Sequence, residues 1–133
     1  MKLLTENDLF EDMNTKDVGE FIGGFELPIK PISKSNFKPR RSYLPKKYKE
    51  YENIIGQAAL SLSGRNYKSG HVVIKPSFTK PNTHRTDLNN LPKSACDALV
   101  KVKIFEDDVD VAVTVLSADF GKESIKIYAY GKR

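Results

Sequence analysis

One cysteine, two histidines and no tryptophan are present in a chain of 133 residues. A lone thiol, Cys96, excludes an internal disulfide framework and a cysteine-rich zinc site. It falls inside a helical pattern, one position from the apolar stripe, where a packed thiol is expected rather than a nucleophile. His71 and His84 stand apart without metal-ligand spacing, and Ser61 and Ser63 lack the partners of a nucleophilic triad. Gly19 and Gly23-Gly24 make no phosphate-binding pattern. No internal repeat or low-complexity tract is visible. No apolar run reaches the ~18 residues of a membrane span, and Lys2-Leu3-Leu4 gives way at once to Glu6 and Asp8, which is no signal peptide. A cytoplasmic protein is expected.

What is present is charge. Charged residues make up 29% of the chain and hydrophobic residues 39%, fitting one small domain with much of its surface given to charge. The net charge of +5 is unevenly distributed. Residues 1–26 carry seven acidic and two basic side chains, whereas residues 30–49 carry eight basic and none acidic. A block of like charge is commonly only a solvated loop. Here, however, Lys34, Lys38, Arg40, Arg41, Lys46 and Lys47 are interleaved with Asn36, Phe37, Ser42, Tyr43 and Tyr48. Cations and aromatics together suit phosphate contacts plus stacking on bases. The acidic residues 1–19 read as an N-terminal extension, with Leu9, Phe10 and Met13 suggesting a short helix over 5–13. The remainder, 20–133, reads as the functional domain.

Within that domain, Phe21, Phe25 and Leu27 alternate over 20–29, predicting a strand with a kink or bulge at Gly23-Gly24. Pro28, Pro31 and Pro39 then exclude regular structure across the basic stretch. Pro45 suits a helix start and Gly64 its stop, with Tyr48, Tyr51, Ile55, Ala58 and Leu62 as the buried stripe. A strand is predicted over 71–78, weakened near Pro76. A second helix starts near Asn89 or Asn90 and buries Leu88, Leu91, Ala95, Leu99 and Val102. Alternating valines predict a strand over 109–116. Asp119 to Lys122 read as a turn, and 125–130 as a final strand. The pattern is α+β: a small mixed sheet covered by two helices, in the order β-α-β-α-β-β.

The chemistry concentrates around the second helix. Asp87 stands at its entrance, Asn89, Lys93 and Asp97 are spaced four apart on one polar face, and Asp107-Asp108 precede the valine-rich strand. Carboxylates at two chain-separated points can share one hard cation, for which magnesium or manganese would leave room for water and phosphate oxygens. Such an ion polarises a scissile phosphate and activates water. Lys93 could offset charge on that phosphate. A helix-start aspartate can equally be only a cap, and Asp107-Asp108 only a solvated turn.

The stretch Asp87-Leu88-Asn89-Asn90-Leu91-Pro92-Lys93, followed by Asp97-Ala98-Leu99 and Glu106-Asp107-Asp108, resembles the RusA family of crossover junction endodeoxyribonucleases. These are Holliday junction resolvases common in phages and prophages. The upstream Phe25 to Ser35 segment is similar to the family's opening strand and basic, proline-containing loop, so the resemblance covers roughly residues 20–130. It implies a homodimer, in a bacterial or phage-infected cell, that binds four-way DNA junctions and makes paired magnesium-dependent nicks in recombination and repair. It assigns Asp87 and Asp108 to the metal, Lys93 to a functional role, and less defined roles to Asp107 and Asp97. Asn89 departs from the pattern, because the family carries a second catalytic aspartate there. An amide oxygen brings no negative charge, so weak or absent cleavage is expected. The backbone grip would come from Lys34 to Lys49 together with Arg65, Lys80 and Arg85. Two rivals stand beside this reading: a non-catalytic branched-DNA-binding protein of the same fold, and a protein–protein adaptor using the acidic N-terminal segment.

Overall fold

The computed structural model describes residues 2–6, 19–29, 46–78, 91–107, 110–116 and 119–132, with side chains in the two helices described from residues 49 and 95 onward. Six strands and two helices are formed by these residues: β1 (Lys2–Leu4), β2 (Glu20–Leu27), α1 (Lys46–Ala59), β3 (Ser69–Phe78), α2 (Leu91–Lys101), β4 (Val111–Val115), β5 (Asp119–Phe120) and β6 (Ser124–Lys132). The sheet order is β1-β2-β6-β3-β4, with β5 pairing the end of β3. Pairs β1/β2, β2/β6 and β3/β6 are antiparallel, whereas β4 and β5 run parallel to β3. The sheet is therefore mixed and open, and β3-α2-β4 is a parallel crossover unit.

The main core lies between one sheet face and the helices. Phe25, Val72, Ile74, Ile125, Ile127 and Ala129 point into it from the strands. Tyr51, Ile55, Ala58 and Leu62 meet them from α1 and the turn that follows it, and Ala95, Ala98 and Leu99 from α2. The helical stripes expected from spacing are thus the buried ones, except that the side chains of Tyr48, Leu88 and Leu91 lie outside the described residues. Cys96 is buried and forms no disulfide, as a packed thiol. On the opposite sheet face Leu4, Val73, Tyr128 and Tyr130 form a smaller cluster. There Phe21 meets Tyr130 edge-on at 5.3 Å between ring centroids.

The irregularity expected at Gly23-Gly24 is a bulge between Phe21 and Gly23 in the β2/β6 register. Gly23 takes φ +139°, a region that L residues rarely enter, and a Cβ there would meet Leu62 Cδ2 at 2.7 Å. The bulge turns the Ile22 carbonyl out of the ladder, and it accepts from both the N–H and the hydroxyl of Ser63 (2.9 and 3.1 Å). Ser61 donates to the Ala58 carbonyl at 2.7 Å. Both serines are thus committed to backbone.

Several boundaries differ from the sequence expectation. Lys2–Leu4, counted with the acidic extension, form an edge strand on β2; the helix expected over 5–13 falls largely on residues 7–18, outside the described ones. Helix α1 ends at Ala59 rather than Gly64. The chain then tightens into i→i−3 bonds from Leu60, Ser61 and Leu62. Pro76 does not end β3, which continues to Phe78. The carbonyls of Ile74 and Phe78 point toward the β4/β5 side, where they accept from Leu116 and Gly121. Pro76, in phase with them, turns its missing donor toward the break between β4 and β5 rather than toward β6. Asp119 and Phe120, read as part of a turn, instead pair with Ser77 and Phe78.

Candidate metal and DNA site

The crossover β3-α2-β4 carries the acidic segment. The start of α2 places Lys93 in its first turn, and Asp97 follows one turn later, half-buried. At the other end α2 closes with Lys103 in the left-handed region (φ 65°). There Lys103 N–H donates to the Val100 carbonyl and Ile104 N–H to the Leu99 carbonyl, both at 3.0 Å. This pair of bonds is a Schellman cap, a position that usually selects glycine.

The segment after the cap is held firmly. Asn66 N–H donates to the Lys103 carbonyl, Tyr67 N–H to Ile104, and Glu106 N–H to Tyr67. The Tyr67 and Phe105 rings, both buried, lie 6.5 Å apart. Their packing needs bare backbone around it: a Cβ on Gly131 would come within 2.4 Å of the Tyr67 ring, and one on Gly70 within 2.6 Å of the Phe105 ring. Exposed Asp107 is presented directly after this pedestal. Tyr67, Phe105, Gly70 and Gly131 are positioning residues that sequence reasoning did not single out. The apolar Ile104-Phe105 pair just before Glu106-Asp107 was the available signal.

Helix α2 has 11 residues, so it is about 16 Å long, and roughly 12 Å of it separates Lys93 from its end at Lys101. The helix alone therefore does not bring Lys93 and Asp107 together. Residues 79–90 and 108–109, which include Asp87, Asn89 and Asp108, lie outside the described residues. Among the described residues no group of three or more His, Cys, Asp or Glu side chains could hold a metal ion. The donor set named from sequence (Asp87, Asp107 and Asp108 with the amide of Asn89) is all hard oxygen. That suits magnesium or manganese and not a thiolate-seeking metal.

Of the cations assigned to DNA, Lys34, Lys38, Arg40, Arg41, Lys80 and Arg85 also fall outside the described residues, as does His84. Lys46 and Lys47 open α1. Arg65 is described, and it has a structural task. Its Nη1 donates to the carbonyls of Leu62 (3.0 Å) and Gly64 (2.8 Å), and its Nη2 to that of Leu60 (2.8 Å). Arg65 thus satisfies carbonyls released where α1 ends, the work expected of a glycine cap at Gly64. Two other described cations are likewise engaged: Lys75 lies 3.8 Å from Asp119, and Lys101 lies 3.4 Å from Glu52 and 3.5 Å from Asn53 Oδ1.

His71 lies on the β3 face away from the helices, its Nε2 2.7 Å from Thr114 Oγ1. Burial pushes its pKa below the ordinary 6.5. Nothing in this contact resembles a metal ligand.

The chain is a mixed-sheet α+β domain whose crossover helix is bracketed in sequence by acidic residues. Residues 28–128 match the family model of endodeoxyribonuclease RusA. The chain belongs to the RusA family, whose members are nucleases of Holliday junction resolution, bind branched DNA and generally depend on a divalent metal. No match is found among curated protein sequences. No helix among the described residues is long and apolar enough to cross a membrane.

Proposed function

We propose that this chain is a structure-specific endonuclease that binds four-way DNA junctions as a homodimer, with chemistry attenuated by Asn89. The observation that carries this reading is that Asp87 to Lys93 and Asp107-Asp108 both lie within the matched span, residues 28–128. Asp87 and Asp108 would hold magnesium, with Asp107 beside them and Asn89 as a neutral donor. When bound, the ion supplies Lewis-acid polarisation of the phosphate and lowers the pKa of a coordinated water. Lys93 sets an ammonium near the phosphate oxygens. The stretch from Lys34 to Lys49, with Lys80 and Arg85, neutralises the DNA backbone. It carries the chain's excess positive charge, since residues 1–26 are acidic and residues 50–133 nearly balanced. Resolution requires two symmetric cuts, and hence two copies of the site.

Asn89 decides the rate. Removing one unit charge about 4 Å from a cation costs on the order of 4 kcal/mol at an effective dielectric of 20. Asn89→Asp should therefore raise magnesium-dependent nicking of a synthetic four-way junction by roughly 10²–10³-fold, with junction affinity in metal-free buffer little increased. Equal cleavage by the two proteins would defeat this account of Asn89. If neither protein nicks, yet both bind junctions with steep salt dependence, the second reading holds: a branched-DNA-binding protein that keeps the fold without the activity. Asn89 is the feature that favours that alternative.

A further inference from the structure

We propose that Phe120, on the short strand β5, is a stacking platform for a nucleobase at the branch point of a DNA junction, with Lys122 beside it for an adjoining phosphate. This role rests on the branched-DNA binding proposed above and adds a residue that tells a branch from a plain duplex. Among the described residues the large apolar side chains that stand exposed are Leu3, Ile54, Leu60 and Phe120. Single apolar residues at a surface are commonplace, so exposure alone assigns nothing. Phe120 is set apart by its aromatic ring, its anchored backbone and its place in the sheet.

The anchoring comes from β3. Strand β5 pairs with β3 on one side and β6 pairs with it on the other, so the chain between them crosses the end of β3. There Gly121 N–H donates to the Phe78 carbonyl (2.8 Å), and the Ser77 hydroxyl donates to the Lys122 carbonyl (2.7 Å). Asp119 lies 3.8 Å from Lys75, which offsets its charge. Phe120 stands in register with Phe78, yet Phe78 is 1% exposed and Phe120 54%. The backbone is tied down on both sides while the ring meets water. A ring already positioned in this way loses little freedom when a flat ligand covers it.

Its place is equally specific. Ile74 and Phe78 share a sheet face by the two-residue period, and Ile74 belongs to the core beneath the helices. Phe120, level with Phe78, therefore lies on the helix-bearing face. Strands β3 and β4 are parallel, so α2, between them in the chain, runs back and begins at the end where β3 stops. Phe120 thus stands at the same end of the same face as the start of α2, which carries Lys93 in its first turn. This is the carboxyl end of β3 and β5, where open sheets with parallel strands bind their ligands. Every nucleobase has a π-face for such a ring. A base at a branch is unstacked at less cost than one inside a continuous duplex, so the contact favours a junction. Exposed Lys122, two residues on, brings an ammonium for the phosphate backbone of the same strand.

The chain has no tryptophan, so Phe120→Trp supplies a single reporter. In metal-free buffer, where cleavage is not read, its emission should be quenched by a synthetic four-way junction and not by a linear duplex of the same sequence. Phe120→Ala and Phe120→Leu should each bind the junction roughly 5–150-fold more weakly than the parent. Duplex affinity and the salt slope should stay unchanged, since no cation is lost. Lys122→Ala should instead make the log–log salt slope shallower by about 0.9, and an unmoved slope removes Lys122 from the contact. Leucine keeps apolar bulk without a π-face, so a Phe120→Leu chain that binds like the parent overturns the stacking role. An unquenched tryptophan on a bound junction does the same, and both results leave the proposed function standing. A parent that prefers no junction over duplex defeats that function and this role together.

Discussion

Arg65→Ala separates a structural from a DNA-binding role for a residue whose charge alone suggests the latter. In the folded chain its guanidinium donates to the carbonyls of Leu60, Leu62 and Gly64 at 2.8–3.0 Å. Hydrogen bonds involving a charged group contribute about 1.5–3 kcal/mol each when the partners are desolvated. Arg65 is only half-buried, and water can replace part of what it provides. The summed loss is therefore set at about 2–3 kcal/mol rather than the full total. For a domain of this size that corresponds to a fall in Tm of roughly 6–12 °C. Urea unfolding should show the midpoint falling with an unchanged m-value. Junction binding by the variant, measured below its unfolding temperature, should keep the salt dependence of the parent, because no phosphate contact has been removed. The opposite pattern, an unmoved midpoint with a log–log salt slope shallower by about 0.9, would refute the capping role and return Arg65 to the DNA interface.

Two further outcomes follow from the backbone and from His71. Lys103→Gly relieves an L residue of the left-handed cap at φ 65° and should stabilise the fold by roughly 0.5–1 kcal/mol after the greater chain entropy of glycine is subtracted; a lower urea midpoint would contradict this. For His71, burial depresses the folded-state pKa below 6.5, so below that pH the unfolded chain binds the proton more readily. Its contribution is complete above pH 6.5 and is lost as the pH falls toward the folded pKa. His71→Gln should flatten that acid-side slope in stability measured against pH, and an unchanged slope would show that other groups produce it.

Much of the architecture was legible because its elements carry strong periodicity. Tyr51, Ile55, Ala58 and Leu62 repeat at helical spacing and are buried, and the valines at 111, 113 and 115 alternate as a strand must. Other features left no such trace. Three residues are too few to show a period, so β1 became visible only in its pairing with β2. Pro76 reads as a breaker until the neighbouring strands are known, because the cost of its missing donor depends on whether an acceptor faces it. Arg65 reads as one more surface cation until three carbonyls surround it.

The candidate site divides along the same line. Residue chemistry alone suggested its ingredients: oxygen donors at Asp87, Asp107 and Asp108, a neutral amide at Asn89, and a lysine four positions further on. These follow from side-chain type and short spacing, which the chain carries wherever it folds. Tertiary structure decided what depends on distant neighbours: the Tyr67–Phe105 pedestal before Asp107 and the pairing of β1 with β2. Hydrogen-bond partners and packing contacts are supplied by segments far apart in the chain, so no local pattern of residues could have encoded them.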